Sequence, residues 1–186
     1  MNKARLLRAL FFVLIAFYPL VVYLGLRYLP VSFFGLLLLM MVVARWGVML
    51  PAERRMMLPL LGGLLVYSAA TALSGSQRML LLYPALVNFT MCVLFAWSLR
   101  QEESILLRLV RARKVHVSEF GPAYINRLTG VWAVFFALNG VAAIVSGYIS
   151  LELWALYNGL ISYLVMAALI IGELVFRRHY KRRKGV

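Results

Sequence analysis

From Ala9 onward the chain is a succession of long apolar runs broken by short clusters of charge. Six stretches carry no charged residue: 9–26, 28–44, 56–77, 79–99, 128–151 and 153–172, with lengths of 18, 17, 22, 21, 24 and 20 residues. About 20 helical residues cross a hydrocarbon core. The apolar side chains are consecutive rather than alternating, which suits helices and not the strands of a barrel. The pattern predicts an all-α, polytopic membrane protein forming one domain over residues 1–186. About six transmembrane helices are expected, at 9–26, 28–44, 57–73, 79–99, 128–150 and 153–176. Short links at 26–30, 74–78 and 150–152 join them as three hairpins of antiparallel neighbours.

Two segments fall outside the spans. Residues 177–186 form a basic tail, and residues 100–127 form the longest connection. Within the latter, SILLRLVRARKVHV places Ile105, Leu106, Leu109 and Val110 on one helical stripe and Arg108, Arg111 and Lys114 on another. That arrangement predicts a short amphipathic helix lying on an anionic leaflet, with Arg108, Arg111, Arg113 and Lys114 as contacts for anionic lipid or a partner. Gly121-Pro122 breaks this helix before the fifth span. The opposite face has almost no mass and offers no ligand-binding domain.

Composition agrees with the pattern. Hydrophobic residues make up 64% of the chain, charged residues 14%, and the mean hydropathy is +0.88, which leaves too little polar surface to cover a soluble fold. The net charge is +14. With six spans and a cytoplasmic N-terminus, 18 of the 20 basic residues lie on the cytoplasmic side, leaving only Arg27 and Arg78 opposite. The positive-inside rule therefore orients the chain with both termini cytoplasmic in a bacterial inner membrane. Topology and anionic headgroups account for the charge, so no nucleic-acid partner is implied. No small-x-small site follows the basic start, and Tyr18-Pro19 interrupts the apolar run, so the first span reads as uncleaved. Cys92 stands alone, which rules out an internal disulfide. Trp46, Trp97, Trp132 and Trp154 all fall near span ends, as an aromatic belt would place them.

The chemistry of interest is polar and intramembrane. Asn88 and Asn139 sit at the centres of the fourth and fifth spans, hence at similar depth. An unpaired amide in hydrocarbon costs several kcal/mol, so each must face protein. Gly130, Ala133, Ala137, Gly140 and Gly147 lie on one face of the fifth span, shaped for a close neighbour. Asn139-Gly140 and Asn158-Gly159 are then helical, glycine permitting contact and asparagine bonding across it. The alternative is that Asn88, Asn139, Asn158 and Tyr163 line a polar cavity for a headgroup or small solute. Glu173 is explained by an ion pair with Arg177 one turn on, a proton-relay role being the alternative. FYPLVVYL and LYPALVNF share a Tyr-Pro pair, read as two proline kinks or as a three-span unit duplicated with inverted topology. There is no aspartate, no P-loop, no dinucleotide fingerprint and no nucleophile motif in a usable context, so neither an enzyme nor a cofactor or metal is expected.

LTGVWAVFFALNG, with FYPLVVYLGLRY, is similar to the intracellular septation protein A family of bacterial inner-membrane proteins. The shared features are Pro-Leu-Val-Val in the first span, a basic loop before the fifth, and Trp-Ala-Val-Phe-Phe where the fifth begins. LLYPALVNF and LWALYNGLISYLVMAALIIGELVFR resemble membrane proteins encoded among aryl-polyene and related fatty-acid-like pigment genes. The resemblance implies an accessory or scaffold protein of cell-envelope biogenesis that docks acyl-chain or pigment-building enzymes on its basic inner face. A transporter or flippase for a lipid or lipid-linked intermediate, using the polar core, is the second reading.

Overall fold

Residues 17–48, 51–112 and 121–184 are described by the structure, a computed structural model. They form α1 (17–25), α2 (Val31–Val48), α3 (Pro51–Ser74), α4 (Gln77–Ser98), α5 (Ile105–Ala112), α6 (Gly121–Ile149), α7 (Leu151–Leu156) and α8 (Ser162–Lys184), with no strand among them. Between α7 and α8, residues Tyr157–Ile161 form a π-helical turn, so 151–184 is one continuous helix with an irregular segment. Three helices are long and apolar enough to cross a membrane: Gln77–Ser98, Gly121–Ile149 and Leu151–Arg177. Val31–Ala44 and Leu60–Ser74 are shorter apolar helices. By length and composition this is a helical membrane protein.

Local chemistry sets the helix ends. Gly75 closes α3 in the left-handed region, at φ +60°, which a side chain would resist. Ser76 then caps α4, its side chain accepting from the Met79 N–H. Ser150 does the same for Leu153 at the start of α7, giving a sharp reversal after α6. Two boundaries differ from the sequence expectation. Residues 121–127 already belong to α6 and are helix rather than loop. Helix α8 runs through the basic segment to Lys184.

Packing is uneven among the helix pairs. The two most extensive helix contacts are α4 with α6 and α2 with α3, whereas α3 and α4, although joined by a tight turn, touch much less. Close approach decides this. A Cβ on Gly35 would lie 2.5 Å from the Ala72 nitrogen and 2.6 Å from its Cα, so the backbones of α2 and α3 are in contact there. The small face of α6 meets α4 along its length: Gly140 lies against the Phe89 ring, Gly147 near Leu81, and Gly130 near Leu99. Three apolar clusters result. One joins α1, α2, α4 and α7 around Tyr18, Phe34, Leu80 and Trp154. A second joins α2, α3 and α4 around Val42, Leu61 and Leu64. The third joins α4, α5 and α6 around Phe95, Ile105 and Phe136, with Cys92 at its edge.

Candidate functional site

Two helices are linked through α6. Pro84 sits inside the continuous helix α4 and removes one backbone donor, and the π turn at 157–161 interrupts the α7–α8 helix. The π register is explicit: the Ser162 N–H bonds the Tyr157 carbonyl five residues back. Between them runs a directed chain of hydrogen bonds. The Tyr157 hydroxyl donates to Asn139 Oδ1 at 2.7 Å, Asn139 Nδ2 donates to Asn88 Oδ1 at 2.9 Å, and Asn88 Nδ2 donates to the Pro84 carbonyl at 2.7 Å. Asn139, at the middle of the chain, is only 6% exposed. These distances and the burial describe a polar interaction made inside protein rather than in lipid.

The sequence-selected residues are thus divided. Asn88, Asn139 and Gly140 come together at the α4–α6 contact, and Tyr157, not singled out in the sequence, completes the chain. Asn158 is buried but turns back on its own helix, its Nδ2 donating to the Trp154 carbonyl at 2.9 Å, and Ser162 Oγ donates to the Asn158 carbonyl at 3.4 Å. Gly159 packs beside Pro19 and Leu20 of α1. Tyr163 is half-buried. Glu173 lies midway along α8, where Arg177 Nε approaches it at 3.5 Å and the Tyr124 hydroxyl donates to it at 3.1 Å.

Trp154 departs from the belt expectation. It is fully buried, and its indole N–H donates to the Leu81 carbonyl at 2.8 Å, in the turn of α4 that precedes Pro84. A buried indole needs such a partner, and α4 supplies it. Trp97 is exposed and Trp132 half-buried against Phe135 and Phe136, while the Trp46 side chain lies outside the described residues. Above the same junction the two Tyr-Pro pairs meet: the Tyr18 and Tyr83 rings are 6.0 Å apart, and the Tyr18 hydroxyl donates to the Phe34 carbonyl at 3.4 Å.

A second cluster organises the α4–α5 connection. Ser98 Oγ donates to the Phe95 carbonyl at 2.7 Å and accepts from the Ile105 N–H at 3.1 Å. The Thr129 and Ser104 hydroxyls share a hydrogen bond of 3.2 Å, tying the start of α5 to α6. Ile105 and Leu107 are buried, so α5 docks against protein through a face that includes Leu107, which the expected stripe left out. Arg108 Nε donates to the Glu103 carbonyl at 2.9 Å and Arg111 forms an ion pair with the Glu103 carboxylate. Both guanidinium groups are therefore drawn to Glu103, a competitor for any anionic lipid. Arg113 and Lys114 lie outside the described residues.

Comparison with family models, curated proteins and solved structures finds no match, so the geometry carries the functional reading. No group of three or more potential metal-ligating side chains occurs among the described residues.

The polar chain makes a quantitative expectation. Asn88→Ala and Asn139→Ala should each destabilise the protein modestly, on the order of 0.6–1.7 kcal/mol, the range of intramembrane hydrogen bonds. The double variant should lose less than the sum, because either substitution already removes the shared bond. Thermal unfolding in mild detergent measures all four proteins; strict additivity would show that the two amides act separately.

Proposed function

We propose that the protein is a non-enzymatic accessory or scaffold protein of cell-envelope biogenesis in a bacterial inner membrane. In this reading it has six spans, both termini cytoplasmic, and α5 on the inner side. It holds acyl-chain or pigment-building enzymes at its basic face. The observation that carries the reading is the anchoring of α5. Ser98, Ser104 and Thr129 fix its start against α4 and α6, giving a positioned surface beside Arg108 and Arg111 rather than a loose segment. Three polar side chains of the core are meanwhile committed to one another. Tyr157, Asn139 and Asn88 end on a backbone carbonyl, which suits a packing function better than passage of a polar solute.

The alternative, movement of a lipid or lipid-linked intermediate, draws on one specific feature. A π turn breaks the regular helix beside a proline-containing helix, and discontinuous helices near the midplane are a recurrent transporter arrangement. Capture of the intact protein from membranes in mild detergent separates the two readings. A soluble acyl-chain-building enzyme that co-purifies, and is lost on Arg111→Glu, supports the scaffold. A lipid-linked intermediate that co-purifies without any soluble protein supports transport. Reporter fusions at Val186 and after Gly75 test the topology: cytoplasmic signal is expected at the first and periplasmic signal at the second, and the reverse at either site overturns the arrangement.

A further inference from the structure

The light contact between α3 and α4 leaves a lateral groove of about 460 Å³, lined among others by Leu60, Gly62, Gly63, Tyr67, Leu86 and Thr90. Both lining hydroxyls are already engaged, Tyr67 with the Met79 carbonyl at 2.6 Å and Thr90 with the Leu86 carbonyl at 2.8 Å, so what the groove offers is hydrocarbon contact. Gly62 and Gly63 open it: a Cβ on either would meet nothing within 4 Å. Unlike Gly35, they are not there to let a neighbouring helix of this chain approach.

The dimensions select the occupant. The lining runs from Leu60 to Ala70 along α3, about 15 Å at about 1.5 Å per residue. That volume is the space open to atom centres, so over this length the groove is roughly 9 Å from wall to wall, against about 10–12 Å for a helix with its side chains. Non-bonded carbons rest about 3.5–4 Å apart, so a single polymethylene chain is about 4–5 Å thick and fits. Charge selects the rest of the molecule. Arg54 and Arg55 lie near the start of the same helix, about 8 Å of helix before Leu60. An amphiphile with its chain in the groove carries its headgroup toward that end.

We propose that this groove binds one acyl chain of an anionic phospholipid of the cytoplasmic leaflet, with the headgroup toward the end of α3 that carries Arg54 and Arg55 in sequence. The site is separate from the polar chain and from α5, and the assignment depends on the topology but not on the scaffold reading.

The full-length protein, reconstituted in nanodiscs of phosphatidylglycerol and phosphatidylethanolamine and re-extracted in mild detergent, should retain one phosphatidylglycerol per chain by native mass spectrometry. Filling the notch with Gly62→Leu/Gly63→Leu should reduce retention by about tenfold or more while the melting temperature stays within about 2 °C of the parent. Thr90→Phe repeats the test from α4 if the glycine pair does not fold. Arg54→Gln/Arg55→Gln should keep a bound lipid but lose the preference for phosphatidylglycerol. A parent protein retaining no lipid, or filled variants retaining as much as the parent, overturns the site. An unchanged preference after the arginine substitutions overturns the headgroup assignment. Loss of a dimer instead of a lipid on filling the notch gives the groove to a helix of a second copy, and also overturns it.

Discussion

Trp154→Ala is expected to lower the stability of the protein by about 2–3 kcal/mol. In soluble cores, Trp→Ala costs about 3–5 kcal/mol. In a bilayer the solvent-transfer part shrinks, because a separated helix keeps its side chains in lipid, but the cavity and the lost hydrogen bond remain. Trp154 is the largest fully buried side chain; it lies against Gly147, joins Tyr18, Phe34 and Leu80 in one cluster, and holds the Leu81 carbonyl. Trp154→Phe should retain most of the packing and lose only the bond, about 1 kcal/mol. Trp97→Ala is the control, since Trp97 is exposed. Thermal unfolding in detergent, with membrane abundance alongside, reads all three. A Trp154→Ala protein indistinguishable from the Trp97→Ala protein would return Trp154 to the interfacial belt.

Gly35→Ala is expected to force α2 and α3 apart. The added methyl would fall 2.5 Å from the Ala72 backbone nitrogen, and backbone cannot rotate out of the way as a side chain can. Overpacking of this kind costs about 1–3 kcal/mol, and Gly35→Leu should lower the amount of protein in the membrane further still. Gly172 gives the comparison within the same chain. A Cβ there meets nothing within 4 Å, so Gly172→Ala should be neutral or stabilising by up to about 1 kcal/mol through helix propensity alone. Melting temperatures of the two alanine variants that move together, in either direction, would deny the α2–α3 backbone contact.

Helices are legible in this sequence because run length and the spacing of small residues are one-dimensional properties. The α6 face from Gly130 to Gly147 can be read off by helical periodicity, and Asn88 and Asn139 can be paired by depth, since both are central in their runs. What escapes depends on which helices are neighbours. Trp154 sits near a run end and looks interfacial until α4 is placed beside α7 with the Leu81 carbonyl turned toward it. Gly35 is one glycine among leucines and phenylalanines, with no pattern announcing Ala72 across from it. The π turn leaves no compositional trace, because one extra residue per turn changes neither polarity nor length. Glu103 is missed as the partner of Arg111 because it lies eight residues away, in the connection that precedes α5. The unequal depth of contact between linked helices escapes for a related reason: a short link sets direction and leaves close approach to the glycines.

The direction of the Tyr157–Asn139–Asn88 chain bears on how such a protein is built as it leaves the ribosome. Segments emerge in chain order, and α4 arrives with the Asn88 amino group already bonded to its own Pro84 carbonyl. Asn88 Oδ1 is left as the acceptor for the next helix, and buried acceptors tolerate under-satisfaction better than buried donors. Helix α6 brings the Asn139 amino group to that oxygen and exposes one acceptor in turn, which the Tyr157 hydroxyl closes when the next helix enters. Each newcomer carries the donor to a partner already in the bilayer. Each nascent intermediate therefore leaves one carbonyl oxygen of this chain open for the next helix, so the order of synthesis and the order of these bonds coincide.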